Sequence, residues 1–465
     1  MKTMKLIKYW LMLVACGAAA MGTAHAAASA TSNDADAALI ARGEYLAHAG
    51  DCMACHTAKN GKPFAGGLPL ATPMGRIYAT NITPDRQTGI GDWTYDDFAR
   101  LMRTGQTREG YTVYPAMPYP SYSRVNDADM HALYAYFHEG VAPVDQPNRA
   151  NEIPWPLSMR WPLRLWAWAF APRPQPFTPT TLDSPSVSLG RYLVEGLGHC
   201  GSCHTARGVA LEERALTDAD GLYYLEGGSV IDGWVAPSLR GDNRGGLGGW
   251  SEADIVAFLK TGRTAQTVSF GAMNDVIVNS TQHMNDTDLK SIALYLRSLA
   301  PAHNRAPYVK DDRVALQMRD QQVPNEGAQI YLDRCAACHR ADGSGAGVAF
   351  PALAGNPVLQ TQDPTSAIHI VLSGGRQPST QNAPSAFTMG PLGDVLNDEQ
   401  VASVVTFIET AWGNKGGTAS ANDVKRIREN AVPVEAQSVV PAQPQLHHAA
   451  PRAPASGANA GLSGG

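Results

Sequence analysis

Three times in this chain two cysteines stand two residues apart with a histidine directly after the second. The copies are CMACH at Cys52–His56, CGSCH at Cys200–His204 and CAACH at Cys335–His339. They use every cysteine but Cys16, out of seven. A tetrahedral zinc site needs four ligands, and no second C-x-x-C or H-x-H pair lies near any copy. A thioredoxin-like dithiol has no use for the histidine that follows. Thioether attachment of haem uses all three residues, because both thiols add to the vinyl groups and the adjacent imidazole becomes the proximal iron ligand. The pattern predicts three covalent haem c groups, held by Cys52 and Cys55, by Cys200 and Cys203, and by Cys335 and Cys338. His56, His204 and His339 are the expected iron ligands.

The N-terminus suits that chemistry. Lys2, Lys5 and Lys8 precede an apolar run, and Ala24-His25-Ala26 forms an A-x-A cleavage site, so residues 1–26 read as a secretory signal peptide. The mature protein is expected on the periplasmic side of a bacterial cytoplasmic membrane, where haem c is assembled. Leu13-Val14-Ala15-Cys16-Gly17 also matches a lipoprotein box, which would leave Cys16 lipidated; the A-x-A site is the favoured reading. Beyond the leader no run of eighteen apolar residues appears, so no spanning helix is expected. A net charge of -5 gives no case for nucleic acid. No G-x-G-x-x-G, P-loop or G-x-S-x-G motif is present, which leaves no sign of a nucleotide cofactor or hydrolytic centre.

The repetition extends past the cysteines. GIGDWTYDDFARLMRTG from Gly89 matches GLGGWSEADIVAFLKTG from Gly246, each with a natural N-cap (Thr94, Ser251) and a glycine stop (Gly105, Gly262). A faint third version, DPTSAIHIVLSGG from Asp363, lacks the tryptophan. Each motif follows a short helical segment, RGEYLAH, LGRYLVE or EGAQIYLD. Each repeat closes on an amphipathic helix, through Met130 and Leu133, through Leu289 and Ile292, or through Val401 and Val405. Asn397 followed by Gln400 marks a capped start for the last of these. Gly43, Gly190 and Gly327 would let the first helix of each repeat approach the last closely. The fold expected is mainly α, in three tandem domains that resemble class I cytochromes c, at 27–150, 183–303 and 304–415.

The segment 151–182 is a Trp- and Pro-rich connector, with Trp155, Trp161, Trp166 and Trp168 among prolines that allow a helix only over Leu163–Phe170. It reads either as packing between domains or as a docking surface for a partner or a membrane interface. From Gly416 the chain turns rich in Ala, Pro, Ser and Gly, and 416–465 is expected to be a disordered tail.

A low-spin electron carrier needs a second axial ligand, and a soft thioether favours reduced iron. Met102 and Met130 fall in helical patterns and read as core, whereas Met117 lies in the proline-rich YPAMPYP. The second repeat offers Met273 in FGAMNDV and Met284 in STQHMND; Met273 is preferred, with Met284 packing at a helix start. After its haem motif the third repeat has only Met389. His48, His199, His283 and His369 read as structural groups, with His199 beside Cys200 the one to check. Trp93 and Trp250 either pack in the core or offer indole N–H groups to haem propionates.

On YPAMPYPSYSR, IPWPLSMRWPL, GSVIDGWVAPSLR, NSTQ, FPALAGNP and AWGNK, besides the haem motifs, the chain resembles the three-haem cytochrome c subunits of membrane-bound, quinone-reducing alcohol dehydrogenases. Related subunits serve gluconate, sorbitol and aldehyde dehydrogenases, some of them flavin- or molybdenum-dependent. The resemblance reaches to about Asn414 and implies Met117, Met273 and Met389 as axial ligands. It further implies a separate catalytic subunit, often with pyrroloquinoline quinone, and delivery of electrons to ubiquinone in the cytoplasmic membrane. The chain itself then has no catalytic residue. Two departures stand out: Gly390 intervenes before Pro391 where the family places proline directly after the methionine, and the tail has no counterpart. A stand-alone multihaem enzyme with an open iron, or a freely diffusing carrier, are the rival readings.

Overall fold

The computed structural model describes residues 34–430. The first repeat runs α1 (34–49), α2 (Cys52–His56), the hairpin β1 (Pro69–Thr72) and β2 (Gly75–Tyr78), α3 (Tyr95–Thr104), α4 (Tyr119–Tyr122) and α5 (Asp127–Ala135). Helix α6 (Trp161–Phe170) lies in the connector. The second repeat runs α7 (Pro185–Tyr192), α8 (Gly201–His204), β3 (Val230–Ile231) and β4 (Trp234–Val235), α9 (Glu252–Thr261), α10 (Ala272–Asn279) and α11 (Asp286–Ser298). The third runs α12 (Arg313–Arg319), α13 (Glu326–Arg334), α14 (Ala336–His339), α15 (Thr365–Ser373), β5 (Gly375–Arg376), β6 (Thr388–Met389), α16 (Asp398–Thr410) and α17 (Ala421–Arg428). The fold is mainly helical, with one short antiparallel hairpin in each repeat.

Local chemistry accounts for the element ends. Thr94 and Ser251 accept the amides of Asp97 and Asp254, whose carboxylates return the bond, so α3 and α9 open on capping boxes. Both stop at a left-handed glycine, Gly105 at φ 69° and Gly262 at φ 73°. Asn397 and Gln400 cap α16 in the same reciprocal way. Pro162 sits in the first turn of α6, where its missing N–H costs nothing.

The first and last helices of each repeat cross at a glycine: α1 on α5 at Gly43, α7 on α11 at Gly190, α13 on α16 at Gly327. A Cβ on Gly43 or Gly327 would lie 2.0 or 2.2 Å from the carbonyl oxygen of Ala132 or Ser403. One apolar core then runs through the first two repeats, joining Leu46, Met130 and Leu133 to Leu197, Leu289 and Leu296. The third repeat has its own core around Tyr331, Val401, Val405 and Trp412. Met102 and Met130 are core residues, as their helical positions implied.

The first two repeats meet through a reciprocal exchange. Tyr192 of α7 donates to Asp129 of α5 at 2.7 Å, and Tyr45 of α1 donates to Asp288 of α11. Each aspartate stands three residues after the N-cap asparagine of its helix, and that asparagine also donates to the tyrosine oxygen, Asn126 at 3.1 Å and Asn285 at 2.8 Å. In the third repeat Gln329 stands two residues after the crossing glycine, where the others have tyrosine, and the exchange is absent there.

One boundary needs correction. The tail expected from Gly416 begins with an ordered helix, α17, opened by a Ser420–Asp423 capping box and seated by fully buried Val424 against the third core. Composition rich in small residues hid it, because a single valine and isoleucine suffice to seat an eight-residue helix. Residues 431–465 lie outside the described residues, as do the expected signal peptide over 1–26 and Cys16. Among the described residues no helix is long and apolar enough to cross a membrane.

Candidate haem centres

Each C-x-x-C-H forms a single helical turn, and each histidine is fixed in the same manner. His56 Nδ1 bonds the Thr80 carbonyl at 2.7 Å, His204 Nδ1 that of Pro237 at 2.8 Å and His339 Nδ1 that of Pro351 at 2.9 Å. A carbonyl can only accept, so Nδ1 carries the proton and Nε2 keeps its lone pair for a metal. Burial pushes all three imidazoles below their usual pKa, which favours the same neutral form.

The backbone of each histidine is held as well. The carbonyls of His56, His204 and His339 accept the amides of Gly66, Gly227 and Gly345 at 2.7, 2.8 and 3.0 Å. These glycines are left-handed, at φ 75°, 86° and 65°. A Cβ on them would lie 2.4 Å from Thr80 C, or 2.7 Å from the carbonyl carbon of Pro237 or Pro351. Each glycine therefore presses the carbonyl-bearing segment onto its histidine. Sequence reasoning missed this whole arrangement. Backbone carbonyls leave no side-chain signature, and only the Gly-Gly pairs at Gly66 and Gly227 hinted at it.

Around the second motif, Cys200, Cys203 and His204 open into a largely apolar cavity of about 250 Å³, lined also by Leu247, Trp250 and Val276. Met273 and Met284 both line it. Met284 is buried in the shared core, whereas half-buried Met273 sits in the first turn of α10 rather than in a free loop. Met117 lies in an irregular turn before α4 and packs on the core that also holds Cys52 and Met53. Met389 lies half-buried on β6, outside the apolar core around Cys335. Trp250 lines the second cavity and Trp93 packs on the shared core.

Burial pushes the thiols of Cys52, Cys55 and Cys200 up to about 12 and those of Cys203 and Cys335 up to about 11. Thiols held so far above neutrality are the opposite of a redox dithiol, which works by a lowered pKa. Among the described residues no three His, Cys, Asp or Glu side chains gather as a group that could hold a metal ion. An oriented imidazole, paired cysteines on one turn and an apolar cavity with a thioether in its wall do fit a haem.

The first two motifs are neighbours. Helix α10 packs on α2, and α4 packs on the turn Leu193–Leu197 that precedes Cys200. Asp51 and Asp275 lie at this junction, where burial holds the Asp51 carboxyl well above its usual range and that of Asp275 at about 6. His199 also belongs to the junction. Its Nε2 bonds the Gly50 carbonyl at 3.2 Å and its backbone is left-handed at φ 37°, so it joins repeats rather than standing by for iron. His48 and His283 stack across the same junction with centroids 4.3 Å apart.

This combination defines a class of protein, the c-type cytochromes. The cytochrome c family pattern matches residues 40–140 and 324–412. The cytochrome c subunit of gluconate 2-dehydrogenase from Pantoea cypripedii is 53% identical over 414 residues, 88% of this chain and 94% of the relative. The cytochrome c subunit of alcohol dehydrogenase (quinone) from Gluconacetobacter polyoxogenes is 49% identical over 424 residues, 90% of this chain and 91% of the relative. The fructose dehydrogenase cytochrome subunit of Gluconobacter japonicus is 35% identical over 407 residues, 84% and 82% of the two chains. The chain belongs to the family of dehydrogenase cytochrome c subunits, which bind haem c covalently and transfer electrons.

Proposed function

We propose that this chain relays electrons, through three haem c groups on three tandem class I cytochrome c domains, from a periplasmic dehydrogenase subunit to ubiquinone in the cytoplasmic membrane. The observation that carries this reading is the thrice-repeated clamp of histidine, carbonyl and left-handed glycine behind each C-x-x-C-H. When bound, haem iron alternates between ferric and ferrous states and so handles one electron at a time. The chain's part would be to orient His56, His204 and His339 as iron ligands, with Met117, Met273 and Met389 as the proposed thioether ligands. The apolar lining around the second motif would limit water at that iron, and thioether ligands would raise the potentials.

Oxidation of the substrate belongs to a separate subunit. An alcohol-oxidising partner with pyrroloquinoline quinone is the first reading. A gluconate-oxidising partner is the second, favoured by the 53% identity to a gluconate dehydrogenase subunit. Export by residues 1–26 supports the periplasmic side of the membrane. The connector supports attachment there, since Trp155, Trp161 and Trp168 are 80%, 65% and 85% exposed beside Arg160 and Arg164.

The test is to isolate the haem-loaded chain from bacterial membranes with whatever it retains. The expected result is a large dehydrogenase subunit in equal amount, three haem peptides per chain, and reduction of a ubiquinone analogue on adding alcohol or gluconate. A chain that comes away alone, or that reduces peroxide by itself, would overturn the relay.

A further inference from the structure

Met273 is followed by a residue that the third repeat holds, and preceded by a glycine pressed on Trp234, which the third repeat covers. Asn274 Nδ2 donates to the Arg376 carbonyl at 2.9 Å, and Arg376 is on β5, which pairs with β6 through Gly375 and Met389. On the other side, Gly271 is left-handed at φ 64°, and a Cβ there would lie 2.5 Å from Cδ1 of Trp234. Trp234 lines the second cavity together with Met273 and His204. Its outer face is covered by His369 of α15, whose ring is stacked at 4.2 Å and 12°. His369 is buried, and its Nδ1 donates to the Gly233 carbonyl at 3.0 Å beside the indole. Ser366, one turn earlier on α15, accepts the Val235 amide at 2.9 Å. The opposite face of α15 enters the third core through Ile368, Val371 and Leu372.

The short hairpin that carries Trp234 has only two paired residues on each strand, too few to hold an indole by itself. The first turn of α10 begins at Gly271 with no side-chain cap of its own. Both are fixed from outside, by the same neighbour.

We propose that the third repeat positions the methionine of the second iron, with His369 acting through Trp234 and the Arg376 carbonyl acting through Asn274. The methionine segments of the second and third centres are thereby tied into one element, from Met273 through Asn274 and β5 to Met389. This rests on the reading of Met273 as the distal ligand of the second iron. His369 and Asn274 are positioning residues, since neither lines the cavity. The consequence is that docking of the third repeat sets the strength of the second iron–sulfur bond, and with it one potential in the relay.

The experiment uses the full-length, haem-loaded chain with His369→Ala, His369→Phe, Asn274→Ala and Met273→Leu. The readouts are the far-red charge-transfer band of methionine-ligated ferric haem, the three midpoint potentials, and carbon monoxide binding to the reduced protein. His369→Ala and Asn274→Ala should each weaken one haem's share of the band, lower one potential of three and admit carbon monoxide to one iron. Met273→Leu should change the same haem more severely, and His369→Phe, which keeps a ring on Trp234, should recover most of the loss. The first centre serves as an internal control for folding. Parental bands and potentials in both alanine variants, with the band share lost only in Met273→Leu, would overturn the positioning role. A full band in Met273→Leu would overturn the ligand reading itself.

Discussion

The backbone of Gly190 lies so close to that of Ser291 that a Cβ at Gly190 would sit 1.9 Å from the Ser291 carbonyl oxygen. No side-chain rotation relieves such a clash, because one helix backbone fixes the Cβ and the oxygen belongs to the other. Gly190→Ala should therefore push α7 off α11 and destabilise the first two repeats by about 3 kcal/mol or more, beyond an ordinary overpacking cost. Gly249→Ala, with nothing near the added carbon, should stay within about 0.5 kcal/mol of the parent. Guanidinium unfolding of the two variants checks this, and equal midpoints would deny the crossing its role.

Tyr192 and Tyr45 each reach an aspartate in the first turn of the other repeat's closing helix. An ionised acceptor makes such a bond worth about 1.5–3 kcal/mol. Tyr192→Phe and Tyr45→Phe should each lower stability by that amount. Gln329→Ala, at the matching but exposed position of the third repeat, should be neutral within about 0.5 kcal/mol. The spectra of all haems should be unchanged in these variants, since no hydrogen bond to an iron ligand is touched.

Met117 is the simplest of the proposed ligands to test, because it lies in an irregular turn outside any helix. Met117→Ala should leave its haem attached through Cys52 and Cys55 while lowering one potential and letting carbon monoxide bind one reduced iron. Tryptic haem peptides, together with an optical carbon monoxide titration, measure both effects. An unaltered spectrum would move the ligand elsewhere.

Glu409 is buried with neither carboxylate oxygen bonded to another side chain, and burial pushes its carboxyl from 4.5 up to about 8. The folded chain thus holds this proton more tightly than the unfolded chain. The stabilisation is complete below about 4.5 and is lost as pH rises through about 8, at roughly 1.4 kcal/mol per pH unit at most. Glu409→Gln should flatten that slope and raise the unfolding temperature at pH 8 relative to the parent. Parallel slopes in the two proteins would refute the assignment.

What the sequence disclosed and what it hid divide along physical lines. Helix starts at Thr94, Ser251 and Asn397 were legible because capping depends on side chains three residues apart. The crossing glycines were legible because each stands in the short helical segment just before its motif. The carbonyls of Thr80, Pro237 and Pro351 were not, because an acceptor on the backbone is the same in every residue. Nor was the Trp234–His369 stack, which joins residues far apart in the chain and has no periodic pattern. The four connector tryptophans looked alike in sequence, yet Trp166 Nε1 donates to the Ala210 carbonyl at 2.8 Å and its ring meets Tyr119 edge-on. Trp166 is a packing residue, which is one of the two readings its segment left open.

That distinction shapes the last prediction, which concerns the outward face of the connector. Trp161, Leu165 and Trp168 are exposed on or beside one face of α6, joined by Trp155 and Leu157 just before it. Arg160 and Arg164 stand among them, and no acidic residue occurs from Ile153 to Leu182. An apolar face ringed only by cations suits the boundary between acyl chains and anionic headgroups. Trp161→Ser with Trp168→Ser should release the haem-loaded chain from vesicles containing anionic lipid, several-fold in bound fraction, while its unfolding midpoint stays at the parental value. Arg160→Gln with Arg164→Gln should weaken binding mainly at low salt, where charge attraction is least screened. Trp166→Ser should do the reverse, lowering stability through the lost Ala210 bond with little effect on vesicle binding. If the Trp161 and Trp168 variant binds vesicles as the parent does, the exposed face instead covers the dehydrogenase subunit, and the same variant should then lose that subunit on purification.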